Sequence, residues 1–326
     1  MSKRVVALLA GVALLHGCGD GGGSSSGGSG PIAGSPTPSP SPSPSPSPTP
    51  SPTPTPVYST YANLTGDQNF QTACAGYQFS APMPGILPAT DFGNGATINY
   101  AAATQTYTLS YVGSTETFGP ADIDTSLPPG TAAYKKNIAG GAIDQLSLSG
   151  PVLKGVALDY TRFLEWTTVQ EPGYRPVQML CVFGVPTLVT DVPSVSSVTF
   201  PAVTLVGSAF TGSGPGAIYS LNHSTATFTV NLTTGEVDAA LTLIGTPSSG
   251  GGADITIATI SGTGDIDPLT GGFYGQWTTA SRNIVGNFGG RFFGPQGKEF
   301  AFATSMIGQT GGVQDLTINA AVLGAR

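Results

Sequence analysis

The chemistry of this chain is easiest to read at Cys18. It closes the tetrapeptide LHGC, after a basic start (Lys3, Arg4) and an apolar run from Val5 to Leu15. That order describes a secretory signal peptide spanning 1–17, cut immediately before a cysteine. Gly17 before the cut and Leu15 at the third position before it suit a lipoprotein signal peptidase. The Cys18 thiol is then expected to carry a diacylglycerol. The alternative is an ordinary signal peptide or a short buried helix in which Cys18 is incidental. The run from Val5 to Leu15 is too short to cross a bilayer, which takes roughly 20 residues, so the expected membrane contact is a lipid anchor. Cys74 and Cys181 remain. In an oxidising compartment an even remainder favours a disulfide, with two buried free thiols as the alternative.

Other chemistry is sparse. The two histidines are His16, inside the leader, and His223. A zinc or iron site needs a cluster of His, Cys, Asp or Glu, and a Ser-His-Asp triad would have to use His223 without an elbow motif nearby. A lone axial histidine can hold haem, which makes His223 a conceivable ligand-binding residue; a turn histidine in LNHST is the stronger reading. GTGDIDPLTGG (262–272) resembles a calcium loop through Asp265 and Asp267 but lacks the spaced oxygens and the closing Glu. GSSSG (23–27) has the letters of a nucleophile elbow with no strand or helix to flank it. Acidic residues are too scattered to suggest a paired-carboxylate glycosidase. The expectation is a protein that is not an enzyme, with no cofactor and no metal.

The elements that follow Cys18 are built to hold something at a distance. Residues 19–35 are mostly Gly and Ser, and 36–56 alternate Pro with Ser or Thr. Neither stretch can bury apolar surface, so 18–56 is expected to be a disordered tether. Its proline part favours extended polyproline at about 3.1 Å per residue, a reach of roughly 60 Å. A ligand for proline-binding domains is the weaker alternative. Eleven basic residues, two of them in the leader, face eighteen acidic ones, and this balance argues against nucleic acid and anionic membrane surfaces.

Over the whole chain charged residues make up only 9% and glycine is abundant at 47, the profile of extracellular β-structure. Helical periodicity is almost absent. TYTLSY (106–111) alternates, and ATFTVNL (226–232), TTGE and VDAALTL (237–243) read as a hairpin. Further strands are expected at 254–262, 272–278, 284–293, 299–306 and 317–323. Their spacing suits an antiparallel sheet closed into a barrel, which leaves no exposed edges. The polar stretch TDVPSVSS suggests a boundary near 195, giving a domain at 57–195 and a second at 196–326.

The barrel region resembles transferrin-binding-protein-B-like surface lipoproteins. The residues that carry this are GGFYGQW (271–277), GRFFGPQGKEFAFA (290–303) and the hairpin at 225–243. INYAAATQTYTLSY, TFGPADI (117–123), YTRFLEW (160–166) and FGVPTLVTDVP (183–193) look like the companion handle domain. Gln276, Trp277 and the glycine-free Phe300–Phe302 depart from the pattern. The resemblance implies an all-β fold in which a β handle precedes an eight-stranded antiparallel barrel, as a single lobe. It also implies a lipid-anchored outer-membrane protein, at the cell surface or on the periplasmic face. Such a protein captures an iron- or haem-bearing protein or a small solute for a TonB-dependent transporter; a structural or adhesive surface lipoprotein is the alternative. On physical grounds Gly290 and Gly294 are expected to let Phe292 and Phe293 pack into the barrel, with Phe273 and Phe302 as further packing residues. Pro295 ends strand pairing, and Glu299 is expected to satisfy donors at the next turn.

Overall fold

The computed structural model describes residues 56–80, 83–128, 131–138, 143–168, 176–212, 217–250, 252–278 and 283–326. Cys18, the leader and the tether up to residue 55 lie outside them. One compact unit runs from Pro54 to Arg326.

The first half is built from strands β1 (Gln68–Phe70), β2 (Ala73–Gln78), β3 (Gly85–Leu87), β4 (Thr97–Ala101), β5 (Thr106–Tyr111), β6 (Ser114–Phe118), β7 (Ala133–Asn137), β8 (Ile143–Ser149), β9 (Val152–Leu153), β10 (Val156–Ala157), β11 (Thr161–Thr168) and β12 (Val177–Gly184). They form a four-stranded sheet, β1-β4-β5-β6, a six-stranded sheet, β3-β2-β12-β11-β8-β7, and the small β9–β10 hairpin. Period-two alternation divides β11 and β12 between two cores. Leu164, Trp166, Met179, Cys181 and Phe183 face Ile98, Leu109 and Phe118 of the four-stranded sheet. Val182 and Phe163 face the other way, toward the second half. Cys74 of β2 and Cys181 of β12 lie directly opposite in the ladder and are joined by a disulfide, with Cα atoms 4.0 Å apart.

The second half is the barrel: β13 (Ser197–Thr199), β14 (Ala202–Thr211), β15 (Ala217–Ser220), β16 (Thr225–Asn231), β17 (Glu236–Pro247), β18 (Ile255–Ile266), β19 (Gly272–Thr278), β20 (Asn283–Phe293), β21 (Glu299–Thr310) and β22 (Val313–Ala325). The ring runs β14-β22-β21-β20-β19-β18-β17 and closes through β15, which pairs with both β17 and β14. β15 and β16 share one stave, interrupted at Leu221–Ser224, so the barrel has eight staves, all antiparallel. The strands are longer than the alternation suggested. β17, β18, β21 and β22 each extend by several residues through glycine and threonine positions that carry no hydrophobic signal.

The barrel interior is filled by rings. Phe228 stacks on Phe300 at 4.1 Å between centroids, and Phe273, Trp277, Phe288 and Phe302 pack around them. Trp277 is buried without an orphaned donor, because its indole N–H donates to Thr304 Oγ1 at 2.7 Å. An aromatic-filled lumen is a core, not a ligand chamber. Gly290 is required because a Cβ there would stand 2.1 Å from the Ala301 carbonyl oxygen. Gly294, at φ +71°, combines left-handed backbone with close approach, since a Cβ there would stand 2.4 Å from the Tyr160 ring.

Two packing expectations are corrected. Phe273 and Phe302 lie inside, but Phe293 points outward, against Phe92 and the apolar cluster between the halves. Glu299 does not serve the next turn. Its buried carboxylate reaches across to the first half and accepts the backbone N–H groups of Asp159, Tyr160 and Thr161 at 2.7, 3.0 and 2.9 Å. Three charge-assisted bonds offset the desolvation of that carboxylate. Glu299→Gln should lower unfolding free energy by about 1–3 kcal/mol, measured by urea titration. Replacing both Cys74 and Cys181 by Ala should cost about 2–5 kcal/mol, since the bond closes a long loop; an unchanged midpoint would show that the bond adds nothing to the fold.

Candidate functional site

The chain between β12 and β13 crosses one end of the barrel as a strap. Its start is pinned in ladder fashion. Val185 N–H donates to Tyr160 O, Pro186 bridges Phe293, and Thr187 N–H donates to Phe292 O at 2.9 Å. Thr187 Oγ1 donates to Gly294 O at 2.6 Å. Farther along, Asp191 Oδ2 accepts Gln296 N–H at 2.9 Å. Between these pins, Leu188 N–H donates to the Tyr58 hydroxyl oxygen at 2.9 Å. Burial, with Asp191 alongside, pushes that hydroxyl above the usual tyrosine range. Tyr58 lies at the start of the described residues, so the strap is tied to the N-terminal end of the described chain.

Two cavities flank the strap. One, of about 400 Å³, is the barrel mouth itself. Its floor is Phe200, Val198, Val230 and Phe292; its wall is Leu232 and Ile266; its roof is Leu188, Val189, Val192 and Pro193. The other, of about 650 Å³, lies between the loop at 91–94, the turn at 265–272 and the strap, with Asp91, Asp265, Tyr274 and Arg291 on its walls. Leu188 and Val189 line both. These volumes fall in or near the range of small-molecule sites, roughly 300–1,000 Å³. The strap's apolar side chains are not hidden: Leu188 is 51%, Val189 45% and Val192 54% exposed. A cluster of exposed apolar residues over a concave apolar mouth marks a binding surface more than a fold requirement.

The charges at this end have fixed jobs. Asp267 Oδ1 accepts Leu269 N–H at 2.9 Å and its Oδ2 accepts the Thr270 hydroxyl at 2.8 Å. The Leu269 amide and the Thr270 hydroxyl hold its carboxyl below the usual range. The acidic pair read as a calcium loop is thus divided, with Asp267 spent on shaping its own turn and Asp265 opposite Tyr274 in the β18–β19 ladder. Arg291 lays its guanidinium over the Phe92 ring at 5.2 Å, and its buried Nε has no partner. Burial lowers its pKa. Among the described residues no three His, Cys, Asp or Glu side chains gather as a metal-binding group.

The residues singled out in the sequence do not converge here. His223 lies in the turn between β15 and β16, at the opposite end of the barrel. Its Nδ1 is 2.8 Å from Asp254 Oδ2, and Thr246 donates to Asp254 Oδ1 at 2.6 Å. The ring is 62% exposed. Cys74 and Cys181 are buried in the first half's core. The strap itself escaped the sequence reading because TDVPSVSS looks polar. The signal was one step upstream, in the apolar Leu188 and Val189 between two prolines that forbid a central strand.

No family model matches the chain, and no curated protein matches it. Solved structures do. Transferrin Binding Protein B from Haemophilus parasuis, as its Trp-176-Ala mutant, aligns over 78% of this chain and 45% of its own at a TM-score of 0.41 and 13% identity, so this chain spans less than half of that one. HpuA from Kingella denitrificans, solved in complex with human haemoglobin, aligns over 80% of this chain and 86% of its own at 0.34 and 13%. Transferrin binding protein B from serogroup B Neisseria meningitidis aligns over 80% and 77% at 0.34 and 11%. The fold described above rests on strand order and register within this chain.

If Tyr58 holds the strap, Tyr58→Phe should speed hydrogen exchange at the Leu188 amide while changing global stability by no more than about 1 kcal/mol. Equal exchange at that amide in both proteins would remove Tyr58 from the strap's support.

Proposed function

We propose that this is a lipid-anchored outer-membrane protein that presents a β-structured binding unit at the cell surface, captures an iron- or haem-bearing protein or a small solute, and hands it to a TonB-dependent transporter. It is a binding module and not an enzyme. The observation that carries the reading is the filled barrel. With Phe228, Phe273, Phe288, Phe300 and Phe302 occupying the lumen, whatever is held must be held on the outside or at the mouth. External surfaces and loops suit a macromolecular ligand. Three further features support the reading. Cys18 follows a lipoprotein-type leader, the Pro-rich stretch offers reach, and the Cys74–Cys181 bond suits an oxidising compartment. The two β halves are read as handle, 57–195, and barrel, 196–326. The solved neighbours include a transferrin binding protein and HpuA bound to human haemoglobin, and host proteins of that kind are the first ligands to try.

Pull-down from intact cells grown with limiting iron should recover one defined ligand, and a deletion strain should grow more slowly on that ligand as iron source. Unchanged expression under iron limitation, with no uptake defect but altered cell aggregation, would instead select the adhesive reading. For the anchor, Cys18→Ala should release the protein from the membrane fraction and lower its mass by the acyl groups. A membrane-bound Cys18→Ala protein of unchanged mass would rule out lipidation at Cys18.

A further inference from the structure

A further cavity, of about 270 Å³, lies away from the strap, in the layer between the two halves. One side is β11 and β12; the other is β14, β15 and β22. Period-two alternation sets its lining. Glu165 shares a face of β11 with Phe163, and Gln178 and Leu180 share a face of β12 with Val182, all turned toward the barrel. Glu165 accepts from the Gln178 side-chain amide, whose oxygen accepts the Tyr77 hydroxyl. That chain fixes the carboxylate and occupies one of its oxygens. From the barrel wall, Asn319 of β22 lines the same cavity. It is 1% exposed, and its buried Oδ1 has no hydrogen-bond partner. Buried polar atoms are almost always paired, so an orphan acceptor beside a cavity marks the place of a donor.

The lining does not supply that donor. No Lys, Arg or His is among the described residues that line the cavity, and Glu165 enters no ion pair among the described residues. His223, next to the lining residue Asn222, pairs with Asp254. Tyr77, the other titratable group on the lining, gives its proton to Gln178. Burial pushes the Glu165 carboxyl above the usual range, and a bound cation offsets that cost. An anion would meet the carboxylate with nothing to balance it. Calcium takes six to eight oxygens and usually several carboxylates, and only one carboxylate is on this lining. Phe163, Leu180 and Val206 supply an apolar part that suits an alkyl stem.

We propose that this cavity binds a small primary alkylammonium, its N–H groups donating to Glu165 and to Asn319 Oδ1 and its stem lying along Phe163, Leu180 and Val206. The carboxylate selects the charge, the orphan amide oxygen selects a donor, and the apolar side adds burial. The site lies on the six-stranded sheet and the outer barrel wall, so it is separate from the mouth and independent of any protein ligand.

The test is an NMR titration of the full chain carrying Cys18→Ala, in detergent-free buffer, following the side-chain amides of Asn319 and Gln178. The probes are propylammonium, propanol, tetramethylammonium and calcium. Propylammonium should shift both amides to saturation. Propanol, which lacks the charge, and tetramethylammonium, which lacks the N–H donors, should each bind at least about tenfold more weakly. Glu165→Gln keeps the side chain's size and should weaken propylammonium at least about tenfold. Asn319→Leu removes the orphan acceptor and should also weaken it, read on the Gln178 amide, in a protein whose backbone spectrum stays folded. The proposal is overturned if no probe saturates, which would mean that water alone serves Asn319. It is also overturned if propanol, tetramethylammonium or calcium binds as tightly as propylammonium, or if Glu165→Gln or Asn319→Leu binds it unchanged. Each of those results would leave capture of a protein ligand by intact cells untouched, so the two readings fail separately.

Discussion

The wall made by β21 and β22 is buried on both faces, and the rest of the molecule is arranged around that constraint. Inward, Phe300, Phe302, Met306, Ile318 and Val322 belong to the barrel core. Outward, Ala301, Ala303, Ala321 and Leu323 meet Ala73, Ala75 and Val182 of the six-stranded sheet. Alanine on both sides is what lets a sheet lie close against a barrel wall, because a longer side chain at any of these positions would overfill the layer. Two of the polar outward positions are paired across this layer. Ser305 Oγ donates to Leu87 O and Thr317 Oγ1 to Pro84 O, each at 2.9 Å. Asn287 of β20 exchanges bonds with the Ala89 backbone like a short piece of strand.

At the lower end of this wall Glu299 fixes the first half to the barrel through three backbone amides. That end is also where the strap crosses and where the described residues begin. The Glu299 contact, the strap and the mouth therefore share one end of the barrel, while His223 lies at the other. A two-layer β platform with its connections at the ends is a scaffold on which loops can carry binding. The filled lumen enforces it, because the aromatic core that stabilises the barrel leaves no interior chamber for a ligand.

Much of this was legible from residue order. β5 and the β16–β17 hairpin alternate cleanly because one face is buried and the other is wet, and the barrel was readable from their spacing. β21 and β22 were under-read for the opposite reason. A strand buried on both faces loses its alternation, so Glu299–Thr310 showed as a shorter, ambiguous apolar run. The reach of Glu299 to residues 159–161 is a contact across about 140 positions, and no local pattern encodes it. The strap was missed because its placement depends on what lies beneath it. Leu188 and Val192 are unremarkable apolar residues until the barrel mouth is known.

The central claim is that the two halves act as one platform joined through the β21–β22 wall, so that mouth and strap are presented rigidly. Native-state hydrogen exchange on the full chain tests this most directly. The account predicts that amides of β2, β12, β21 and β22 exchange with one shared opening free energy, equal to that of global unfolding. Exchange of β2 and β12 in a separate, less stable step, with β21 and β22 still protected, would contradict it.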